Sequence, residues 1–342
     1  MEYCRSLSAL RASDEPRFGG KSAALGELLA AGVPVPPGFA LSTDAFRWLA
    51  TQSGLEAEIE RRLGACDLED VEALGAACAG IREMLAGAAV PTAIADEVEA
   101  AYVELGGPPA AVRSSALGED SAAAAFAGQQ ETFLWVRGSD QVVRAIRDCW
   151  ASLYTTRAVS YRAKLGRGAD APAMGVAVQE MIDARVAGVM FTCSPASGDP
   201  SVIAVNASWG LGEAVVAGEV TPDELLVSKV TGEVIRETIS EKAIEHVPAP
   251  EGGGTVAREV EPGRRRARCL SDDELHALLG LGRQIEHHFG CHQDIEWAIA
   301  RGGGVFVLQS RPVTVVQKKQ DQVPAEPPSA ISLVMNAFGV KK

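Results

Sequence analysis

Hydrophobic and polar positions change their period several times along the 342-residue chain, and the changes mark out elements. Ala23 to Leu29 repeats at helical spacing, and the prolines in Gly32-Val33-Pro34-Val35-Pro36-Pro37-Gly38-Phe39 then force extended backbone. Ser42-Thr43-Asp44 reads as a helix cap. From 44 to 105 Ala, Leu, Glu and Arg keep helical spacing, with breaks near Gly64–Asp67 and Gly87–Pro91, and the apolar positions there are read as core. Ala111-Val112 opens a short strand that ends in Arg113-Ser114-Ser115. Residues 140–167 predict one amphipathic helix burying Val143, Ile146, Trp150 and Leu153. Strands are predicted over 175–182, 187–192 and 203–207. Glu251 to Arg268, rich in Gly and Arg, is expected as an exposed loop, and Ser271-Asp272-Asp273-Glu274 as a capping box.

The strongest pattern comes late. Gln293 to Ile299 and Val305 to Pro312 alternate around Arg301-Gly302-Gly303-Gly304, which predicts a hairpin. In the first arm Asp294 and Glu296 face one way and Ile295, Trp297 and Ile299 the other. In the second, Val305, Val307, Gln309 and Arg311 are expected to share a face, opposite Phe306 and Leu308. Two carboxylates, an amide and a guanidinium on a rigid ribbon suit Mg²⁺ and phosphate, because Mg²⁺ takes few protein carboxylates and fills its shell with phosphate oxygens and water. A solvated surface hairpin is the plain alternative.

Composition narrows the class. A net charge of −13 disfavours general nucleic-acid or anionic-membrane binding, while leaving room for a local cationic pocket. Seven scattered cysteines without CxxC spacing suit reduced thiols and a cytoplasmic protein. Neither a signal-peptide pattern nor a membrane-length apolar run occurs. His287, His288, Cys291 and His292 lie close together, but Gly290 should end their helix and no second cluster completes a zinc set.

Other stretches carry candidate phosphate chemistry. Phe18-Gly19-Gly20-Lys21-Ser22 heads a helix, where free N–H groups and Lys21 attract anions; a solvated lysine is the alternative. It is no P-loop, since Glu15 stands where the first glycine belongs. Residues 114–132 read as a small-residue lid with Gly128 to Thr132 as donors and Arg113 on the phosphates, or else as a plain Ala-rich loop. Gln179 and Glu180 end a strand where a nucleoside could lie. Val215 replaces the third glycine that a dinucleotide fingerprint after Trp209 would need.

In their order, Gly19-Gly20-Lys21-Ser22, Val33-Pro34-Val35-Pro36-Pro37-Gly38-Phe39, Val112-Arg113-Ser114-Ser115-Ala116, Phe126-Ala127-Gly128-Gln129-Gln130-Glu131-Thr132, Trp209-Gly210-Leu211-Gly212-Glu213, Gln293-Asp294-Ile295-Glu296-Trp297 and Gln309-Ser310-Arg311-Pro312 resemble the ATP-binding domain of the dikinase family. That family includes phosphoenolpyruvate synthase, pyruvate phosphate dikinase and rifamycin phosphotransferase, and the resemblance runs from about residue 16 to 315. It implies an α+β, ATP-grasp-type fold clasping ATP and Mg²⁺ between subdomains 1–180 and 181–316, followed by a linker-like tail, 317–342. By position, Lys21 and Arg113 would contact phosphates, Gly128 and Thr132 would belong to the closing loop, and Gln179 to the nucleotide pocket. Glu296 and Gln309 would hold metal and nucleotide with Asp294 nearby, and Arg311 would support the transferring phosphoryl group. His292 stands where the family usually has proline.

The family passes phosphate through a histidine on a swivelling domain, turning ATP into AMP and phosphate. No Thr-Ser-His segment occurs, and all five histidines precede residue 293. The expected function is therefore an ATP-dependent phosphotransferase module that delivers phosphoryl to a histidine on a separate domain or protein and onward to a small-molecule acceptor. A stand-alone kinase or ligase acting on a small acid or alcohol, and a non-catalytic nucleotide-binding partner protein, are the alternatives.

Overall fold

A computed structural model describes residues 2–68, 70–116, 131–164, 172–250 and 252–313. Gly128, most of the expected lid and the expected tail lie outside these residues. The strands are β1 (Cys4–Ser6), β2 (Gly38–Leu41), β3 (Ala110–Ala116), β4 (Thr132–Val136), β5 (Met174–Glu180), β6 (Ala184–Phe191), β7 (Val202–Trp209), β8 (Asp223–Ser228), β9 (Val234–Thr238), β10 (Ile244–Pro248), β11 (Thr255–Glu259), β12 (Gln293–Ala300) and β13 (Val305–Pro312). They form a five-stranded sheet, β1-β2-β5-β3-β4, a six-stranded sheet, β13-β12-β6-β7-β8-β9, and the small hairpin β10-β11. The chain passes from the first large sheet to the second at residues 181–183. With helices packed around both, this is the α+β, ATP-grasp-type architecture that the motifs imply.

Alternation along the first sheet decides what each face does. Val112, Val176 and Val178 bury against helices Thr43–Gln52, Val71–Gly87, Thr92–Glu104 and Ser139–Ser152, around Phe46, Ile81, Ile146 and Trp150. The opposite face carries Arg113 and Gln179, on neighbouring strands whose register pairs Ala111 with Gln179 and Arg113 with Ala177. A second core joins helix Gly20–Ala30, through Leu25 and Leu28, to Met190, Leu278, Ile285, Ile295 and Trp297 of the second sheet and its helix Asp272–Phe289. The N-terminal helix thus shares the second sheet's core. No single helix among the described residues is long and apolar enough to cross a membrane.

Three local expectations are corrected. The helix predicted over 140–167 is two, Ser139–Ser152 and Thr156–Lys164, with Val142 fully buried and Val143 only partly so. Ser152 turns its hydroxyl back onto the Cys149 carbonyl at 2.6 Å where the first helix ends. The expected loop 251–268 contains β11 and a one-turn helix, Pro262–Arg265. Its arginines are held by acids: Arg258 by Glu245, Arg265 by Glu259 and Arg266 by Glu241. Arg264 also lies over the Trp209 ring, 4.4 Å from its centroid.

The third correction lies in the late hairpin. β12 and β13 pair in register from Gln293↔Pro312 to Glu296↔Gln309, and then Trp297 pairs with Val307. Leu308 is the extra residue of a β-bulge, which reverses the parity of β13. Val305 and Val307 therefore pack with Trp297 and Ile299 in the core, while Gln309 and Arg311 join Glu296 and Asp294. The sequence alternation assigned all four β13 residues to one face because a bulge leaves no mark in residue type. The predicted capping box at Ser271 and Glu274 is present.

Candidate active site

Arg113 is the bridge between the sheets. Its Nη2 donates to Glu296 Oε2 at 2.7 Å and to Gln309 Oε1 at 3.1 Å, and its Nη1 donates to the Leu308 carbonyl at 2.8 Å. The bulge supplies that carbonyl, because the residue inserted into β13 has no opposite number in the ladder. One step along the same face, Arg311 Nε donates to Asp294 Oδ2 at 2.9 Å. Burial alone would raise the Glu296 carboxyl, yet Arg113, Lys21 and Arg311 outweigh it and hold Glu296 below its usual range. Burial dominates at Asp294, whose pKa is raised despite Arg311.

Lys21 sits at the start of helix Gly20–Ala30 and is 3% exposed. Its Nζ donates to the Ser114 carbonyl at 2.9 Å, so it is no solvated surface lysine. The helix start is not wholly open to an anion, since the Ser22 N–H donates to Ser115 Oγ at 3.1 Å. Gly19 permits this approach: its φ is 82°, and a Cβ there would lie 2.1 Å from the Ser115 carbonyl oxygen.

Beside Arg113 and Glu296 opens a cleft of about 370 Å³ between the sheets. Thr132 and Gln179 line it, as predicted residues, and so do Leu134, Met181, Ile182, Leu211, Glu213 and Val216, which sequence reasoning left without a role. Lys21, Asp294, Gln309 and Arg311 lie off this lining, past its Arg113 end. Met181-Ile182 is an apolar pair just after the polar end of β5, a signal that could have marked the wall in advance. Gln179 is 3% exposed. Its Nε2 and Arg113 Nε are buried without a hydrogen-bond partner among the described residues. A buried polar group left unpaired is costly, so these atoms ask for a ligand.

The oxygen donors Glu296 and Gln309, opposite one another across the ladder, fit a hard cation such as Mg²⁺, which needs only one or two carboxylates. Among the described residues no group of three or more His, Cys, Asp or Glu gathers as a metal site. Gly290 ends helix Asp272–Phe289 with φ 68°, and the nearby histidines turn to separate partners, His288 to Glu27 and His292 to Glu286.

Comparison with known proteins identifies the family. The profile of the pyruvate phosphate dikinase AMP/ATP-binding domain matches residues 15–329. A probable phosphoenolpyruvate synthase of Methanothermobacter thermautotrophicus is 41% identical over 328 residues, covering 94% of this chain and 47% of the relative. A rifampicin phosphotransferase of a Streptomyces species is 42% identical over 322 residues, covering 93% of this chain and 37% of the relative. The chain thus spans about half the length, or less, of these relatives. Among solved structures, biotin carboxylase of Campylobacter jejuni aligns with 92% of this chain and 48% of its own, at 12% identity and a TM-score of 0.33, too low to carry an argument. The profile match and the identities decide the family: this chain belongs to the pyruvate phosphate dikinase AMP/ATP-binding domain family, and it is an ATP-binding domain.

Proposed function

We propose that the chain is the Mg-ATP-binding module of a dikinase-type phosphotransferase, its halves 1–180 and 181–316 acting as subdomains that clasp the nucleotide. The observation that carries this reading is the single guanidinium, Arg113, joining Glu296 and Gln309 across the two sheets at the end of an apolar cleft. The base and sugar occupy the cleft beside Gln179, and the phosphates extend toward Arg113, Lys21 and Arg311. Thr132 opens β4 opposite Arg113 and lines the cleft at its phosphate end, a strand position and not the loop position expected of it. Glu296 and Gln309, with Asp294 close by, would hold Mg²⁺, which would supply charge neutralisation on the phosphates.

Phosphoryl transfer needs positioning and charge neutralisation more than a covalent nucleophile. Arg113 and Lys21 bind and orient the phosphate chain, Arg311 stabilises the transferring group, and the apolar walls exclude water. The acceptor in this reading is a histidine on a separate domain or protein, and a small molecule follows it. The relatives' names, phosphoenolpyruvate synthase and rifampicin phosphotransferase, support a phosphoryl-transfer reading with a small-molecule acceptor. Scattered thiols, none paired in a disulfide, support a cytoplasmic setting.

The test is to incubate the purified chain with Mg²⁺, ATP and a histidine-bearing swivelling domain, and to follow AMP and acid-labile phosphohistidine. Both should form, and both should vanish in Glu296→Ala. ADP formed with a small molecule alone would replace this reading by a direct kinase.

A further inference from the structure

We propose that the helical layer behind the first sheet carries a second ligand site, which takes a small apolar monocarboxylate on the Arg162 guanidinium. A cavity of about 620 Å³ opens there between helices Thr43–Gln52, Leu55–Gly64 and Thr156–Lys164. Its lining shares no residue with the nucleotide cleft, and its helices pack on the side of the sheet opposite Arg113 and Gln179. Phe46, Ile59, Leu63 and Val159 make the walls apolar. Ala50, Gly64 and Ala163 leave room that larger side chains would have filled. A hollow of this size, mostly apolar with a few placed polar groups, is the usual form of a small-molecule site.

The charge inside this hollow has no answer in the protein. Arg162, half-buried in the last turn of helix Thr156–Lys164, makes no hydrogen bond or ion pair among the described residues. Its guanidinium lies over the Tyr154 ring, 5.7 Å from the centroid, which fixes the side chain against the wall. Burial lowers its pKa, and the groups acting the other way are Tyr154 and Cys78, not a carboxylate. A guanidinium does not shed its proton to escape that cost, so it calls for an anion. Tyr154 brings no competing negative charge, because burial pushes its hydroxyl up to about 12.

The other charges of the lining select the kind of anion. Arg47 is already held by Asp44 at 3.1 Å. Glu56 and Glu60 stand exposed one turn apart on helix Leu55–Gly64, at the rim. Two carboxylates there disfavour a dianion such as phosphate. A monocarboxylate gives its one charge to Arg162, whose planar fork it matches bidentately, and lays its apolar body along Phe46 and Leu63.

Calorimetry on the full chain tests this with 4-phenylbutyrate, its uncharged amide and inorganic phosphate. Wild type should bind the acid about tenfold more tightly than the amide, the worth of one hydrogen bond to a charged group. Inorganic phosphate should give no measurable heat. Arg162→Met should bring the acid down to the affinity of the amide without lowering the melting temperature, since it removes a charge that nothing pairs. Ala163→Leu, which fills the cavity and keeps the guanidinium, should weaken acid and amide alike. Arg113→Ala, in the nucleotide cleft, should bind the acid as wild type does. Absent binding of the acid, equal affinity for acid and amide, or an unchanged acid affinity in Arg162→Met overturns the proposal. A melting temperature lowered by Arg162→Met overturns it by showing the guanidinium to be satisfied within the fold. Phosphate bound as tightly as the acid overturns it by leaving a bare anion site, and loss of acid binding in a folded Arg113→Ala overturns it by moving the ligand to the nucleotide cleft.

Discussion

Arg113 and Glu296 are 183 residues apart in sequence and 2.7 Å apart in the fold, joined by one hydrogen bond across two sheets. Both belong to the proposed phosphate end, so each should be needed for turnover. Removing a cationic clamp on a transferring phosphoryl group costs about 10³-fold or more. Arg113→Ala, Glu296→Ala and Arg311→Ala should each lower AMP release by about that factor. Steady-state assay with the histidine-bearing partner measures it, and wild-type rates in these variants would discredit the site.

The same bond predicts an order of binding. One guanidinium holds Glu296 Oε2 and Gln309 Oε1 together, in the place a cation would take. Mg²⁺ alone must displace a buried positive charge, whereas ATP offers Arg113 a phosphate and releases both oxygens. Titrating MgCl₂ into the nucleotide-free chain should give little heat, and Arg113→Ala should bind Mg²⁺ alone more tightly than wild type. Stronger Mg²⁺ binding by wild type than by Arg113→Ala would contradict this order.

The two acids of β12 should respond to pH with opposite sign. The folded pKa of Glu296 lies below its ordinary 4.5, so its charged form stabilises the fold above that pH. The contribution is lost as pH falls through the folded value. The pKa of Asp294 is raised above 3.8 by burial, so its charge works against the fold at neutral pH and is relieved on acidification. Melting temperature followed from pH 7 down to about pH 3 should show Glu296→Gln with a flatter acid limb. Asp294→Asn should be more stable than wild type at neutral pH and lose that advantage in acid. Parallel curves for both variants would refute the assignment.

Much of this was legible in the residues because strand alternation is a local property. Asp294 and Glu296 opposite Ile295, Trp297 and Ile299 needed only the period of two, and Arg113 and Gln179 were marked by polar residues ending apolar runs. The bulge at Leu308 was not legible, since a register shift depends on the partner strand. Nor was the burial of Lys21, which needs a carbonyl 93 residues away. The Arg-rich stretch resembled a loop because two of its partner acids, Glu241 and Glu245, stand earlier in the chain and meet it only after folding.

Away from the cleft, Lys242 and Asp223 form a fully buried ion pair. Asp223 also accepts from the Cys269 N–H at 2.9 Å and the Ser240 N–H at 3.1 Å, and so ties β8 to the start of helix Asp272–Phe289. Removing one member strands the other's charge in the interior, which costs about 3–5 kcal/mol. Lys242→Met should therefore lower unfolding free energy by about that amount in urea titration. A loss under about 1 kcal/mol would show that the pair is not sealed from water.

Gly19 offers the sharpest separation of backbone shape from side-chain charge at the phosphate end. A methyl group at Gly19 would collide with Ser115 and impose a φ of 82° on a residue that resists it. The collision moves the start of helix Gly20–Ala30, and with it Lys21, off the Ser114 carbonyl. Lys21→Ala removes the same charge without disturbing the backbone. Both variants should weaken ATP binding, but only Gly19→Ala should also lower the melting temperature, since strained backbone costs about 1–3 kcal/mol. Calorimetry and thermal unfolding run side by side distinguish them. If Lys21→Ala binds ATP as wild type does while Gly19→Ala fails, the N-terminal segment shapes the site through its backbone, and the lysine has no part in holding phosphate.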